Sequence, residues 1–288
     1  MPRALPVARS SILPPELNRS GSKNGSRDAL QMLQFLRFLP RAAMAAAGAD
    51  SAIQWFSGGQ RSKSDWHSTC SGVDAGGVLV TPQEILRDDA GYPDSLLSRL
   101  GAEAPALLHV LGDGRALGCV QLGLVCSVQC PGGVIIRTLD AARELRDAGV
   151  VIAGGFHSPM ERESLHFLLR GRQWVVLCLA VGMHGCRLRP DEQRAVDEGR
   201  LTIVSVLDDG TSSPTLQSAS RRNEVVSALA EVLLVPYAVP RGKAESVARR
   251  ALARRQTVLT FACEENEQLV ALGATPVTVA ELVAGFTR

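Results

Sequence analysis

Four short stretches hold the residues that could bind an anion. In "SASRRNEVVSALAEVLLVP" the cations Arg221 and Arg222 and the amide Asn223 stand ahead of an apolar helix that runs into a strand. In "VPRGKAES" a flexible Gly242 separates Arg241 from Lys243. In "GGFHSPME" Gly154 and Gly155 allow close backbone approach, Ser158 can cap a helix, Pro159 suits its first position and His157 lies beside them. In "CSVQCPGG" Ser127 precedes a Pro-Gly-Gly turn whose N–H groups could face an anion. Cations at a helix N-terminus oppose its dipole. With Ser218 or Ser220 as cap, Arg221 and Arg222 would stand in that position, and an anionic partner would resolve the conflict.

Chemistry beyond binding is not assembled. The chain lacks a GxSxG elbow, a GxGxxG turn and a GxxxxGK[ST] loop, and no cysteine stands beside a base motif. Asp208-Asp209 in "LDDGTSS" reads as a loop. The five histidines are scattered without ligand spacing, and Cys126 and Cys130 have no second pair, so neither zinc nor another metal is expected. The reading is of a protein without enzymatic activity, cofactor or metal. Seven cysteines, several inside apolar runs such as "WVVLCLA", fit a reducing, cytoplasmic setting. A net charge of +2 excludes a general field for nucleic acid, so any anion site is a local patch. Aromatic residues are 4% of the chain, too few for extended base stacking. No apolar run reaches the length of a membrane span, and the N-terminus lacks the apolar centre of a secretory signal.

Apolar runs set the frame for these stretches. "ALLHVLG", "CVQLGLVC", "VVIAGG", "WVVLCLA", "LTIVSVL", "EVLLVP" and "TVLTFA" read as strands, and amphipathic segments such as "IIRTLDAARELRDAG" and "GKAESVARRALARR" lie between most of them. Continuous apolar strands alternating with helices predict a doubly wound, mainly parallel Rossmann-like α/β sheet with helices on both faces. Ligands bind such sheets beyond the carboxyl ends of the strands, where the four stretches fall. Residues 1–27, basic and rich in Pro, Ser and Gly, read as a disordered arm. Residues 28–95 read as a small helical or irregular region, with a helix over 28–47 broken at Pro40 and a capped helix start in "TPQEILRD". The Rossmann-like domain is expected over 96–288.

The order "GGFHSPMERESLHFLLRG", "RRNEVVSALAEVLLVPYAVPRGKAESVARRAL", "LVALGATPV" resembles the DprA/Smf family of DNA-processing proteins, within the wider SLOG superfamily, over roughly residues 92–285. Arg222-Asn223 match its RN element, Gly154-Gly155 the glycine turn of its second strand and Gly273-Ala274 its closing GA. The sequence departs from the pattern where Cys126-Ser127-Val128 replaces Gly-Ser-Arg and Arg241-Gly242-Lys243 replaces a Ser-Gly-Ser turn. The resemblance implies a non-catalytic protein that binds single-stranded DNA, forms a homodimer and works beside RecA. Two alternatives stand with it: an immunity partner of a toxin protein in a bacterial toxin–antitoxin or phage-defence operon, and a sensor of a nucleotide-derived ligand.

Overall fold

Each apolar run forms a strand, because its alternate residues enter two different cores. The computed structural model describes residues 82–208 and 210–287; the expected arm, the helix over 28–47 and Thr81 lie outside them. Nine strands form one sheet among the described residues: β1 (Gln83–Leu86), β2 (Leu107–Leu111), β3 (Leu122–Leu124), β4 (Ile152–Gly154), β5 (Val175–Cys178), β6 (Leu201–Ser205), β7 (Val232–Leu234), β8 (Thr257–Phe261) and β9 (Thr275–Val277). Their order is β1-β2-β6-β5-β4-β3-β7-β8-β9. β1 and β2 are antiparallel to their neighbours, and β6 through β9 of that order run parallel.

Ile152, Val175, Leu177, Leu201 and Leu234 enter one apolar cluster. Their alternates Ala153, Val176, Val204 and Leu233 enter the other. On the first side pack α2 (Gly132–Asp147) and α3 (Pro159–Leu168). On the second pack α1 (Asp94–Leu100), α5 (Leu216–Leu229) and α6 (Lys243–Ala253). The remaining helices are α4 (Pro190–Asp197), α7 (Glu267–Ala271) and α8 (Val279–Ala284). This is the expected doubly wound Rossmann-like fold. No described helix is long and apolar enough to cross a membrane.

One local expectation is corrected. "QEIL" is a strand, not a helix start: Gln83–Leu86 pair with Val110–Leu107, and the Arg87 amide extends the ladder to the Ala106 carbonyl at 3.0 Å. Pairing with β2 is a contact between distant residues and overrides the local capping pattern. Among the described residues the sheet begins at Gln83. At the other end "TPV" adds β9, a three-residue edge strand in which Pro276 is tolerated.

The position of β3 matters most. It lies between β4 and β7, so the chain leaves β3 toward one side and later returns on the other. The chain leaves β3 toward α2 on one face and β7 toward α6 on the other, and the carboxyl edge beside such a switch point is where sheets of this kind bind ligands.

Candidate functional site

Helix α5 brings a cation to this edge, though not from the first turn. Thr215 is its cap, with the Thr215 hydroxyl accepting from the Ser218 amide at 3.0 Å and Ser218 Oγ accepting from the Thr215 amide at 2.8 Å. The helix therefore starts at Leu216, three residues earlier than a Ser218 cap requires. Arg221 and Arg222 fall in the second turn, where the dipole at the helix start has little hold on them. The expected conflict with the dipole disappears and another replaces it.

Arg222 is only 8% exposed. Its Nε donates to Asn223 Oδ1 at 3.0 Å, and no carboxylate among the described residues pairs with it. Burial pulls the guanidinium below its ordinary pKa, with Glu161 opposing, but an arginine remains charged at neutral pH. Its place is made by a glycine. A methyl group at Gly155 would stand 2.6 Å from Arg222 Cζ and 2.8 Å from Cδ. Gly154 is constrained similarly, since a Cβ there would meet the Phe156 ring at 2.9 Å.

The β4 loop turns at Phe156, whose φ is +41°. Ser158 then caps α3, its Oγ accepting from the Glu161 amide at 3.2 Å. Glu161, itself buried, accepts from the amides of His157 at 2.9 Å and Ser158 at 3.1 Å, and from the Cys126 amide at 2.9 Å. One carboxylate thus ties the β4 loop to the β3 loop. It also occupies the amides that an anion at this helix start would otherwise use. Its signal was the spacing Ser158-x-x-Glu161, a capping box.

Ser127 joins the β3 and β7 loops. Its amide donates to the Tyr237 carbonyl at 3.1 Å, and its Oγ accepts from the Val239 amide at 2.9 Å. Beyond, Arg241 adopts φ +60°, the Gly242 amide donates to the Val239 carbonyl at 2.9 Å, and a Cβ on Gly242 would stand 2.7 Å from that carbonyl oxygen. Glu245, buried in α6, accepts from the Arg241 amide at 3.0 Å and pairs with Arg249 at 2.9 Å. The Arg241 amide, and next Arg249, hold its carboxyl below the usual value. Lys243 opens α6 with an exposed side chain. Among the described residues neither Lys243 nor Arg241 makes an ion pair.

His157 stands where these pieces meet. Its imidazole pKa lies below the ordinary value, first through partial burial and then through the charges of Arg222, Arg162 and Lys243, with Glu161 opposing. Three cations from α5, α3 and α6 therefore act on one ring at the switch point. Arg162, which the sequence reading passed over, donates to the His157 carbonyl at 2.9 and 3.1 Å. Arg221 lies elsewhere: its guanidinium donates to the Glu103 carbonyl at 2.6 Å, and it acts with Arg87 on the Tyr92 phenol. What Arg222, Lys243 and Arg162 offer chemically is positive charge and N–H donors, the equipment for binding an anion.

Residues 83–285 match the family described as DNA recombination-mediator protein A. Among solved structures, the X-ray structure of DNA processing protein A (DprA) from Streptococcus pneumoniae is similar, with a TM-score of 0.61 and 18% identity over 71% of this chain and 74% of that one. DNA processing protein A from Helicobacter pylori, whose structure concerns its single-stranded DNA binding mode, gives a TM-score of 0.57 and 19% identity over 70% of this chain and 95% of that one. No curated protein matches the chain.

Proposed function

The chain belongs to the DNA recombination-mediator protein A family, and we propose that it binds single-stranded DNA, without catalysis, through the loops at the switch point. The observation that carries this reading is Arg222, a buried guanidinium with no carboxylate partner, set against Gly155 at the carboxyl edge. A buried charge is costly unless paired, and a backbone phosphate would supply the missing partner. Lys243 and Arg162 would hold the same phosphate or its neighbour, and Arg241 would meet the strand as it leaves. The single-stranded DNA binding mode of the Helicobacter pylori protein supports this choice of anion. Contacts to phosphate position a strand without reading its bases. With Phe156 buried and Tyr237 half-buried, these loops offer few aromatic faces for stacking, so weak base preference follows. Family membership also supports a homodimer, which light scattering would register at twice the 30.7 kDa chain mass, and a role beside RecA.

The test is a titration of fluorescent oligonucleotides at two salt concentrations, with parent and R222A/K243A. The expected result is salt-dependent binding whose log–log slope falls in magnitude by about 0.7 for each phosphate contact removed. A parent that binds no oligonucleotide, or a double variant that binds as tightly as the parent, rejects the reading. Binding of a free nucleotide in place of oligonucleotide would favour the ligand-sensor alternative.

A further inference from the structure

The same carboxyl edge carries a second group of cations, away from the switch point. An open cavity of about 580 Å³ lies between the turn at Glu103–Ala106, the start of β2 and the chain leaving β6 at Val206 and Asp208. Arg87, just past β1, and Arg221, from α5, reach into it. Consecutive carbonyls hold them: Arg221 Nη2 donates to the Glu103 carbonyl at 2.6 Å, and Arg87 Nη2 donates to the Ala104 carbonyl. Both charges act on the same phenol, Tyr92, whose pKa is raised because burial outweighs them. Two guanidiniums are thus fixed near each other, and neither forms an ion pair among the described residues. Arg87 Nε is buried without a hydrogen-bond partner.

A fixed pair of like charges whose guanidiniums line one open cavity matches an oxyanion bound by several N–H groups at once. The acidic residues Asp208 and Glu103 are also among those lining the cavity, which favours one phosphate held between the arginines over a continuous basic track. The position relates it to the first site. β6 and β4 are separated only by β5, so with neighbouring strands roughly 4.8 Å apart their carboxyl ends lie about 10 Å from each other. The two sites also share α5, from which Arg221 and Arg222 project about 100° apart. We propose that the Arg87–Arg221 cavity is a second phosphate subsite, which takes a phosphodiester a few nucleotides along the same single strand that Arg222 holds. The inference rests on the DNA reading above.

The test compares oligothymidylates of about 4 and about 16 nucleotides, spanning the range of single-strand site sizes. It uses the full chain as parent, R87A/R221A, R221Q and R222A/K243A, with thermal unfolding of each to confirm folding. In R87A/R221A the longer oligonucleotide should bind about 10- to 100-fold more weakly, with about 0.7 lost from the salt slope, and the shorter one within about twofold of the parent. R221Q, which alters a half-buried side chain only, should show the same length-dependent loss at smaller size. Equal affinity of parent and both variants for the longer oligonucleotide overturns the second subsite while leaving the first intact. Loss of both lengths in R87A/R221A also overturns it, since the arginines would then belong to one site. If the parent binds neither length, the DNA reading itself fails. Thymidine monophosphate that binds the parent and is lost in R221Q would make the cavity a free-nucleotide site and reject the strand proposal.

Discussion

Replacing Gly155 by alanine adds one methyl group, and the structure says where it goes. The new Cβ would stand 2.6 Å from Arg222 Cζ and 2.8 Å from Cδ, closer than carbon atoms pack. Gly155 does not adopt a positive φ, so alanine is acceptable to the backbone and the perturbation is confined to this contact. Forcing a methyl into a packed site costs about 1–3 kcal/mol, while the stiffer unfolded chain returns about 0.4–1 kcal/mol. The expected net loss is roughly 1–2 kcal/mol, read by urea denaturation with an unchanged slope. Gly132→Ala in the first turn of α2 is the control. A Cβ there meets nothing within 4 Å, so only the favourable part remains and stability should rise slightly. For binding, displacement of Arg222 removes one charge-assisted contact of about 1.5–3 kcal/mol, which is about 10- to 100-fold in affinity for single-stranded DNA. If G155A keeps both the stability and the affinity of the parent, Arg222 does not occupy the place that carries the proposed function.

Arg222→Met keeps the length of the side chain but removes a buried charge without a carboxylate partner; unfolding should occur at the same or higher denaturant concentration while DNA binding falls. For His157, partial burial and three nearby cations depress the folded-state pKa. Its contribution to stability is therefore present above the ordinary imidazole value and lost as pH falls through the folded value. A bound anion should raise that pKa, so NMR titration should move upward on adding oligonucleotide and affinity should increase as pH falls. Glu161→Gln leaves one oxygen to serve amides from two loops; a loss of about 1–3 kcal/mol is expected, seen as about 2–4 °C in Tm for each kcal/mol.

How much of this was legible depended on the range of the interaction that decides each element. The seven apolar runs became β2 through β8 because strands buried on both faces need apolar residues at nearly every position, and Val175–Cys178 is buried throughout. β1 gave no such signal: Gln83 and Glu84 are exposed, and only the distant pairing with β2 makes them a strand. At the site, the Ser158 cap and the glycines were readable one residue at a time. The partition of Arg221 from Arg222 was not. It turns on whether α5 begins at Thr215 or at Ser218, and "TLQSASRR" offers a hydroxyl at each. Three residues shift both arginines from the first turn into the second, and there Arg222 is buried and Arg221 half-buried. No local pattern in the sequence announces the burial of Arg222, which comes from the packing of α5 against the glycine turn after β4.

The backbone gives a separate reason to place function at the switch point. Among the described residues three non-glycine positions have positive φ: Phe156, Arg241 and Arg255. Arg255 follows the last turn of α6, where a left-handed residue ends a helix and satisfies its carbonyls. Phe156 and Arg241 end no helix. Each stands in a loop leaving a central strand, after β4 and after β7, and each costs on the order of 1 kcal/mol or more. Phe156 in this conformation lays its ring over Gly154, and Arg241 in this conformation places its amide on Glu245 ahead of Lys243. Two strained residues and one buried unpaired cation thus meet at a single edge, while hydrogen bonds through Glu161 and Ser127 fix the loops around them. Folding alone would discard all three. A phosphate that pairs with Arg222 and meets Lys243 offsets the charge and gives the strained loops their use, so strain and charge should be relieved together on binding. Loop amides around His157 and Arg241 should then exchange more slowly with bound oligonucleotide than without it. Unchanged exchange at both positions under saturating DNA would separate the strain from the binding and leave it unexplained.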